Sequence, residues 1–203
     1  MVETDKKRDV IIEGAIKRFI HYGINKTTMN EIAEDLSVSK PSLYYYFPDK
    51  NSLVLGVIEK IFGDYFELVE QDHLLNLRLE ECLSEFIEIR HRFFQKYYMM
   101  HLSGSSPDQS LNSDELKKHF MKMQAKNIKL HADVFQAAAD RGEIVAMDAV
   151  KTAELYVDSL AGITSLCIMQ GNKELFPSKK EMKYILERQL SLSAIFIKGL
   201  KQQ

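Results

Sequence analysis

Residues 28–50 read TMNEIAEDLSVSKPSLYYYFPDK, and the way this stretch divides into short helices decides what the rest of the chain is. Thr28 followed three residues later by Glu31 has the spacing of a capping box, in which each side chain satisfies the other residue's backbone N–H. It starts a helix of about two turns with Met29, Ile32, Ala33 and Leu36 on one face. Ser39 caps the next helix, Pro41 sits in its first turn where a missing N–H costs nothing, and Val38 with Leu43 has the spacing of a hydrophobic staple. A step of about 100° per residue puts Leu43 and Phe47 together on the buried face. Pro41, Ser42 and Tyr45 then lie opposite, with Tyr44 and Tyr46 on the flanks. Three consecutive tyrosines cannot share a face, but a helix lying in a DNA groove meets bases beneath it and phosphates on both sides. A phenol suits each place, since its hydroxyl donates to phosphate and its ring touches a thymine methyl.

Working outward, the segment from about Lys6 to His21 repeats Ile11, Ile12, Ala15 and Phe19 at helical spacing, with Gly23 just past its end. Asp49 caps a longer helix from Lys50 to about Glu70. Two short helices joined by a tight turn, the second polar and aromatic outside, make a helix-turn-helix. Thr28 and Lys50 mark helix starts, where backbone N–H groups and the helix dipole favour phosphate, and Lys40 reaches a guanine edge or a phosphate. The ordered run Ala15, Phe19, Gly23, Thr27, Thr28, Ile32, Ala33, Val38, Ser39, Leu43, Tyr44, Phe47, Lys50 and Leu53 resembles the N-terminal DNA-binding domain of the TetR family of transcriptional repressors. The resemblance covers roughly the first quarter of the chain. It implies a homodimer on a palindromic operator, with Lys40, Pro41, Ser42, Tyr44 and Tyr45 over bases or flanking backbone and Thr28, Tyr46 and Lys50 on phosphates. Ser37 departs from the family pattern, which has glycine in the turn. A serine held in the left-handed region would cost of order 1 kcal/mol.

Totals set limits on the whole. The chain has 203 residues, 45% apolar and 28% charged, with a net charge of −2 and only two cysteines, Cys82 and Cys167, far apart in apolar-patterned segments. These fit reduced core thiols better than a disulfide or a metal site. Bulk charge gives no support for a nucleic-acid coat, so any DNA affinity must come from placement. No run of about 18 apolar residues and no signal-peptide pattern is present, so the expectation is a cytoplasmic protein without membrane insertion.

The remainder reads as helices at about 77–102, 113–140, 149–170 and 179–198, with a further short one near 103–111. Asn112 with Glu115 and Ser178 with Glu181 repeat the capping-box spacing, and Gly142, Gly171 and Gly199 sit where C-terminal caps belong. The expectation is an all-α chain of about nine helices: a helix-turn-helix domain over residues 1–49, and a ligand-binding and dimerisation domain over residues 50–203 with helix 50–70 connecting. In that second part Arg90 and His101 interrupt an aromatic stripe, and Asn127 and His131 interrupt another. Buried polar groups need partners. Arg90 either pairs with Glu154 or Asp158 of a neighbouring helix, or faces a ligand cavity and selects an anionic or carboxylate-bearing effector. On the second reading Arg90, Phe94, Tyr97, His101, Phe120, Asn127, His131 and Tyr156 are the ligand candidates. Helices 149–170 and 179–198 are apolar on two sides, which suits a four-helix bundle with a second subunit through Leu160, Ala161, Ser165, Ile168, Leu192 and Phe196, or else a large monomer core.

The function expected is a repressor released from its operator when a small apolar or amphipathic effector binds. The alternatives are a helical enzyme or a ligand-binding module without DNA binding. No phosphate loop, metal-spaced His/Glu pair or nucleophile elbow appears, so neither a cofactor nor a catalytic residue is expected.

Overall fold

The computed structural model describes residues 2–103, 114–170 and 178–201. Among them all regular structure is helical: α1 Val2–Tyr22, α2 Met29–Asp35, α3 Lys40–Tyr46, α4 Lys50–Val69, α5 Asp72–Leu75, α6 Leu79–Ser103, α7 Asp114–Asp140, α8 Ala149–Gln170 and α9 Lys179–Leu200. The all-α expectation holds. One turn, α5, was not anticipated, because a single apolar turn between Glu70 and Leu77 leaves no periodicity to read. Gly199 does not cap α9, which continues to Leu200 and closes with Lys201 N–H donating to the Ile197 carbonyl. The expected helix near 103–111, the cap at Asn112 and Gly171 lie outside the described residues.

The chain divides into two units, Met1–Asp64 with Lys96–His119, and Tyr65–Gln95 with Phe120–Gln203. In the first, α1, α2, α3 and the start of α4 close over Ile11, Ala15, Phe19, Ile32, Leu43 and Phe47, all nearly inaccessible to water. Local chemistry makes each helix start where it does. Glu31 Oε2 accepts from the Thr28 N–H at 2.7 Å and its own N–H donates back to the Thr28 hydroxyl at 3.3 Å. Ser39 Oγ accepts from the Ser42 N–H at 3.3 Å, and Asp49 Oδ1 from the Ser52 N–H at 2.7 Å. Arg18 of α1 ties down α2 by reaching Asp35 at 2.7 Å and Glu31 at 2.9 Å. At Gly56 α4 comes so near that a Cβ would stand 3.1 Å from the Phe47 ring.

In the second unit, Gln189 of α9 donates to the Leu160 carbonyl and the Thr164 hydroxyl of α8, both at 2.9 Å. Val145 N–H donates to the Leu200 carbonyl at 2.8 Å, and Glu143 accepts from the Leu79 N–H at 2.8 Å. Just past the end of α7 at Asp140, Gly142 with its φ of 73° lets Glu143 N–H turn back to the Ala138 carbonyl.

Ser37 has a φ of 53°, the left-handed conformation that its place in the turn implies. Its side chain is exposed, so nothing it packs against is lost on substitution. Ser37→Gly is expected to raise the stability of the first unit by about 0.5–1 kcal/mol, and Ser37→Val to lower it by at least as much. Chemical denaturation checks both, and a destabilised glycine variant would contradict the assignment of strain.

Candidate functional site

The face of α3 opposite its core contacts is made by Lys40, Pro41, Tyr44 and Tyr45. All four are exposed, Tyr45 most of all at 76%. Ser42 is half-buried, its N–H committed to the cap. Tyr46 is only partly exposed and packs on the head's core, while its ring meets Tyr45 edge-on at 5.2 Å. Tyr45 is thereby braced from one side, which cuts the freedom a long exposed aromatic would lose on docking. Lys50, half-buried, stands at the first position of α4, beside the cap Asp49. Thr28 is exposed, yet both its N–H and its hydroxyl donate to Glu31 Oε2, at 2.7 and 2.8 Å. Those hydrogen bonds hold the Glu31 carboxyl below the usual range. A phosphate at this helix start must therefore use the amides beyond Thr28 or draw its hydroxyl from Glu31, a competition that helix-start reasoning alone did not reveal.

The second unit brings several of the other candidates together. Arg90 of α6 is preceded one turn earlier by Phe86 and followed by Phe93. Phe86 meets His131 of α7 at 5.4 Å, and Phe93 meets Tyr65 of α4 at 5.5 Å. His131 in turn lies 5.7 Å from Tyr156 of α8, whose hydroxyl donates to Ser193 of α9 at 2.8 Å. The Arg90 guanidinium, half-buried on α6, is pushed below its ordinary pKa by desolvation, with the phenols of Tyr65 and Tyr156 opposing. Glu154 and Asp158, the carboxylates expected to pair with it, are exposed, and among the described residues no carboxylate is within ion-pair distance of Arg90.

Asn127, one turn before His131, accepts from His131 Nδ1 through its main-chain carbonyl at 2.8 Å, while its side-chain Oδ1 is buried without a partner. Since a carbonyl only accepts, Nδ1 carries the imidazole proton. Phe94 and Tyr97 are part-buried and Phe120 is 45% exposed. Tyr97, where α6 departs from helical geometry, belongs to the first unit rather than to this cluster. The side chain of His101 lies outside the described residues. Tyr65, Phe86 and Ser193 were not among the candidates, because they sit on ordinary apolar or polar positions of their helices and only the tertiary structure shows what they touch. Among the described residues no group of three or more His, Cys, Asp or Glu side chains could hold a metal ion.

Of the expected dimer residues, Leu160 turns into its own unit at 2% exposure and Phe196 packs on Tyr156 at 5.2 Å, whereas Ala161 and Ser165 are exposed and Ile168 and Leu192 half-buried. The outer faces of α8 and α9 instead carry Leu155, Leu166, Met169, Tyr184 and Ile195, exposed by 50% or more. The choice of Leu160 is corrected accordingly: on a helix apolar on two sides the pattern does not say which side turns inward, and here the side with Tyr156 and Leu160 does.

Burial pushes the pKa of His131 down from 6.5 to about 4, with Arg90 adding to the effect and the hydrogen bond to Asn127 opposing it. Between those values the unfolded chain binds a proton at this histidine and the folded chain does not, so stability falls as pH drops through that window. Wild type should lose about 2 kcal/mol more than His131→Gln between pH 7 and pH 5. Urea unfolding at the two pH values checks this, and equal losses would contradict it.

Residues 11–57 match the family model for bacterial regulatory proteins of the tetR family. Over 129 residues the chain is 26% identical to the Staphylococcus epidermidis biofilm operon icaADBC negative transcriptional regulator IcaR, covering 64% of this chain and 68% of that one. The Escherichia coli transcriptional regulator RutR is 38% identical over 55 residues, which span 27% of this chain and 26% of RutR. A transcriptional regulator from Cytophaga hutchinsonii superposes with a TM-score of 0.82 at 28% identity, covering 97% of this chain and 99% of that one. A TetR regulator from Haloarcula marismortui gives 0.78 over 98% and 100% of the two chains, at 13% identity, and so shares the fold.

Proposed function

Because this chain belongs to the tetR family of bacterial transcriptional regulators, we propose that it is a repressor that binds a palindromic operator as a homodimer and is released by a small apolar or amphipathic effector. The observation that carries this reading is the outer face of α3, where Lys40, Pro41, Tyr44 and Tyr45 stand exposed opposite the buried Leu43 and Phe47. Residues 1–49 are assigned to DNA and residues 50–203 to effector and partner subunit, with Lys50–Val69 as the covalent connection. Thr28, Ser42, Tyr46 and Lys50 are assigned to phosphates and backbone at the edges of the groove. The relative IcaR is a negative regulator, which favours repression over activation. A cytoplasmic location follows from this reading, and among the described residues no helix is long and apolar enough to cross a membrane.

The dimer contact is assigned to the exposed apolar side chains of α8 and α9, Leu155, Leu166, Met169, Tyr184 and Ile195, with the small residues Ala161 and Ser165 allowing close approach. Two recognition helices must stand about 34–36 Å apart to read successive turns of one DNA face. An effector that favours another spacing weakens binding by a coupling of about 1–3 kcal/mol.

Mobility shifts with the chain's own upstream DNA test the reading. Lys50→Ala should reduce the slope of log affinity against log salt by about 1, while Tyr45→Ala should cost about 1–3 kcal/mol of preference for operator over unrelated DNA and leave that slope alone. Equal effects on operator and unrelated DNA from both variants would contradict the division of roles. Sedimentation should give twice the chain mass of 23.5 kDa; a monomer with intact operator binding would remove the dimer from the account.

A further inference from the structure

We propose that Arg8 of α1 is a positioning residue for DNA recognition, its guanidinium holding the Phe47 ring and, through it, the angle of α3. Removing it then costs preference for operator over unrelated DNA, not attraction to DNA in general. The proposal rests on the reading of α3 as the recognition helix given above. Arg8 lies outside residues 11–57, the segment that matches the tetR family model, so the match assigns it nothing. The fold brings it, half-buried, to the end of α3 opposite the cap at Ser39, with its Cζ 5.2 Å from the centroid of the Phe47 ring. On the α4 side a glycine leaves room for both: a Cβ on Gly56 would stand 3.1 Å from the ring and 3.3 Å from Arg8 Nη2. Phe47 is the residue on which α3 ends, its N–H donating to the Leu43 carbonyl, and Tyr46 beside it makes the edge-on contact to Tyr45.

The rival role for an arginine near a recognition helix is a phosphate contact. Two features oppose it. The guanidinium lies over an aromatic ring, a contact that strengthens as water is excluded. It also faces a cleft whose other charged side chains are all acidic: Asp49 and Glu59 of the α4 region and Glu115 at the start of α7 line it together with Tyr46 and Phe47. Three carboxylates around one cation repel a phosphate and keep the guanidinium where it is. Among the described residues none of them is within ion-pair distance of Arg8, so the ring contact, not a salt bridge, is what the geometry shows. Without the cation the ring loses its cover on one side and the end of α3 loosens, so Tyr44 and Tyr45 meet the groove from a spread of angles. The ordering then has to be supplied on docking. Contacts to base edges need close placement and suffer, whereas phosphate contacts, which carry no sequence information, persist.

The test compares the full chain with Arg8→Gln and Arg8→Lys in mobility shifts, on the DNA upstream of its gene and on unrelated DNA, over a range of salt. Amide hydrogen exchange is followed on the same proteins without DNA. One cation–π contact corresponds to about 2- to 30-fold in an equilibrium. Arg8→Gln should lower operator affinity within that range and leave affinity for unrelated DNA and both salt slopes as in wild type. It should speed exchange at the amides of residues 43–47 by a similar factor while those of α2 stay unchanged. Arg8→Lys, which keeps a cation, should lose less on both measures. A salt slope lower by about 1 with equal losses on both DNAs would make Arg8 a phosphate contact and overturn the proposal. Unchanged exchange at residues 43–47, exchange raised throughout the first unit, or Arg8→Lys as impaired as Arg8→Gln would overturn it too. Wild type without preference for the operator sinks the recognition-helix reading, and exchange still decides whether Arg8 holds the helix. Wild type with that preference, and Arg8→Gln with the same preference, sinks this proposal alone.

Discussion

The outer face of α3 depends on two side chains it hides. A helix of two turns has no stability of its own in water, since the cost of nucleation is never recovered over so few residues. What holds Lys40–Tyr46 helical and in register is the burial of Leu43 and Phe47, exposed by 0% and 2%, each contributing about 1.5–3 kcal/mol. Phe47 is gripped from two further sides, by Gly56 of α4, which leaves room for the ring, and by the Arg8 guanidinium 5.2 Å over it. With those two side chains fixed, helical geometry leaves Tyr45 no choice but to point outward. The caps at Ser39 and Asp49 then decide where the helix starts and where the next begins, so the placing of the tyrosines follows from packing beneath them rather than from any contact of their own.

That part of the molecule was readable because its signals are local. Capping boxes at Thr28 and Ser178, the proline in the first turn of α3 and the strained Ser37 each involve residues within four positions of one another. Where the outcome depends on a distant neighbour, the sequence left alternatives open. α8 is apolar on two sides, and only the tertiary structure, with Gln189 and Tyr156 joining α8 to α9, shows that Leu160 faces inward while Leu155 and Leu166 face out. The sequence marked Arg90 and Asn127 as polar groups on apolar stripes, but not whether partners would reach them. Tyr65 and Phe86 gave no signal, since an aromatic residue on an apolar stripe looks the same beside a cation as in plain core.

The two units use their chemistry in opposite ways. In the first, Arg18 is satisfied by Glu31 and Asp35 and serves to position one helix on another. In the second, no carboxylate among the described residues lies within ion-pair distance of Arg90, and His131 is kept neutral mainly by burial, with the charge of Arg90 adding to it.

The central claim is that α3 reads a specific DNA sequence in two symmetric copies. DNase I footprinting of the full chain on the DNA upstream of its own gene tests it most directly. The account predicts protection of a two-fold symmetric sequence whose half-sites lie about one helical turn, or a whole number of turns, apart, lost on replacing Tyr44 and Tyr45 together by alanine. Protection that follows no sequence and merely fades with salt, or symmetric protection that survives the loss of both tyrosines, would contradict it.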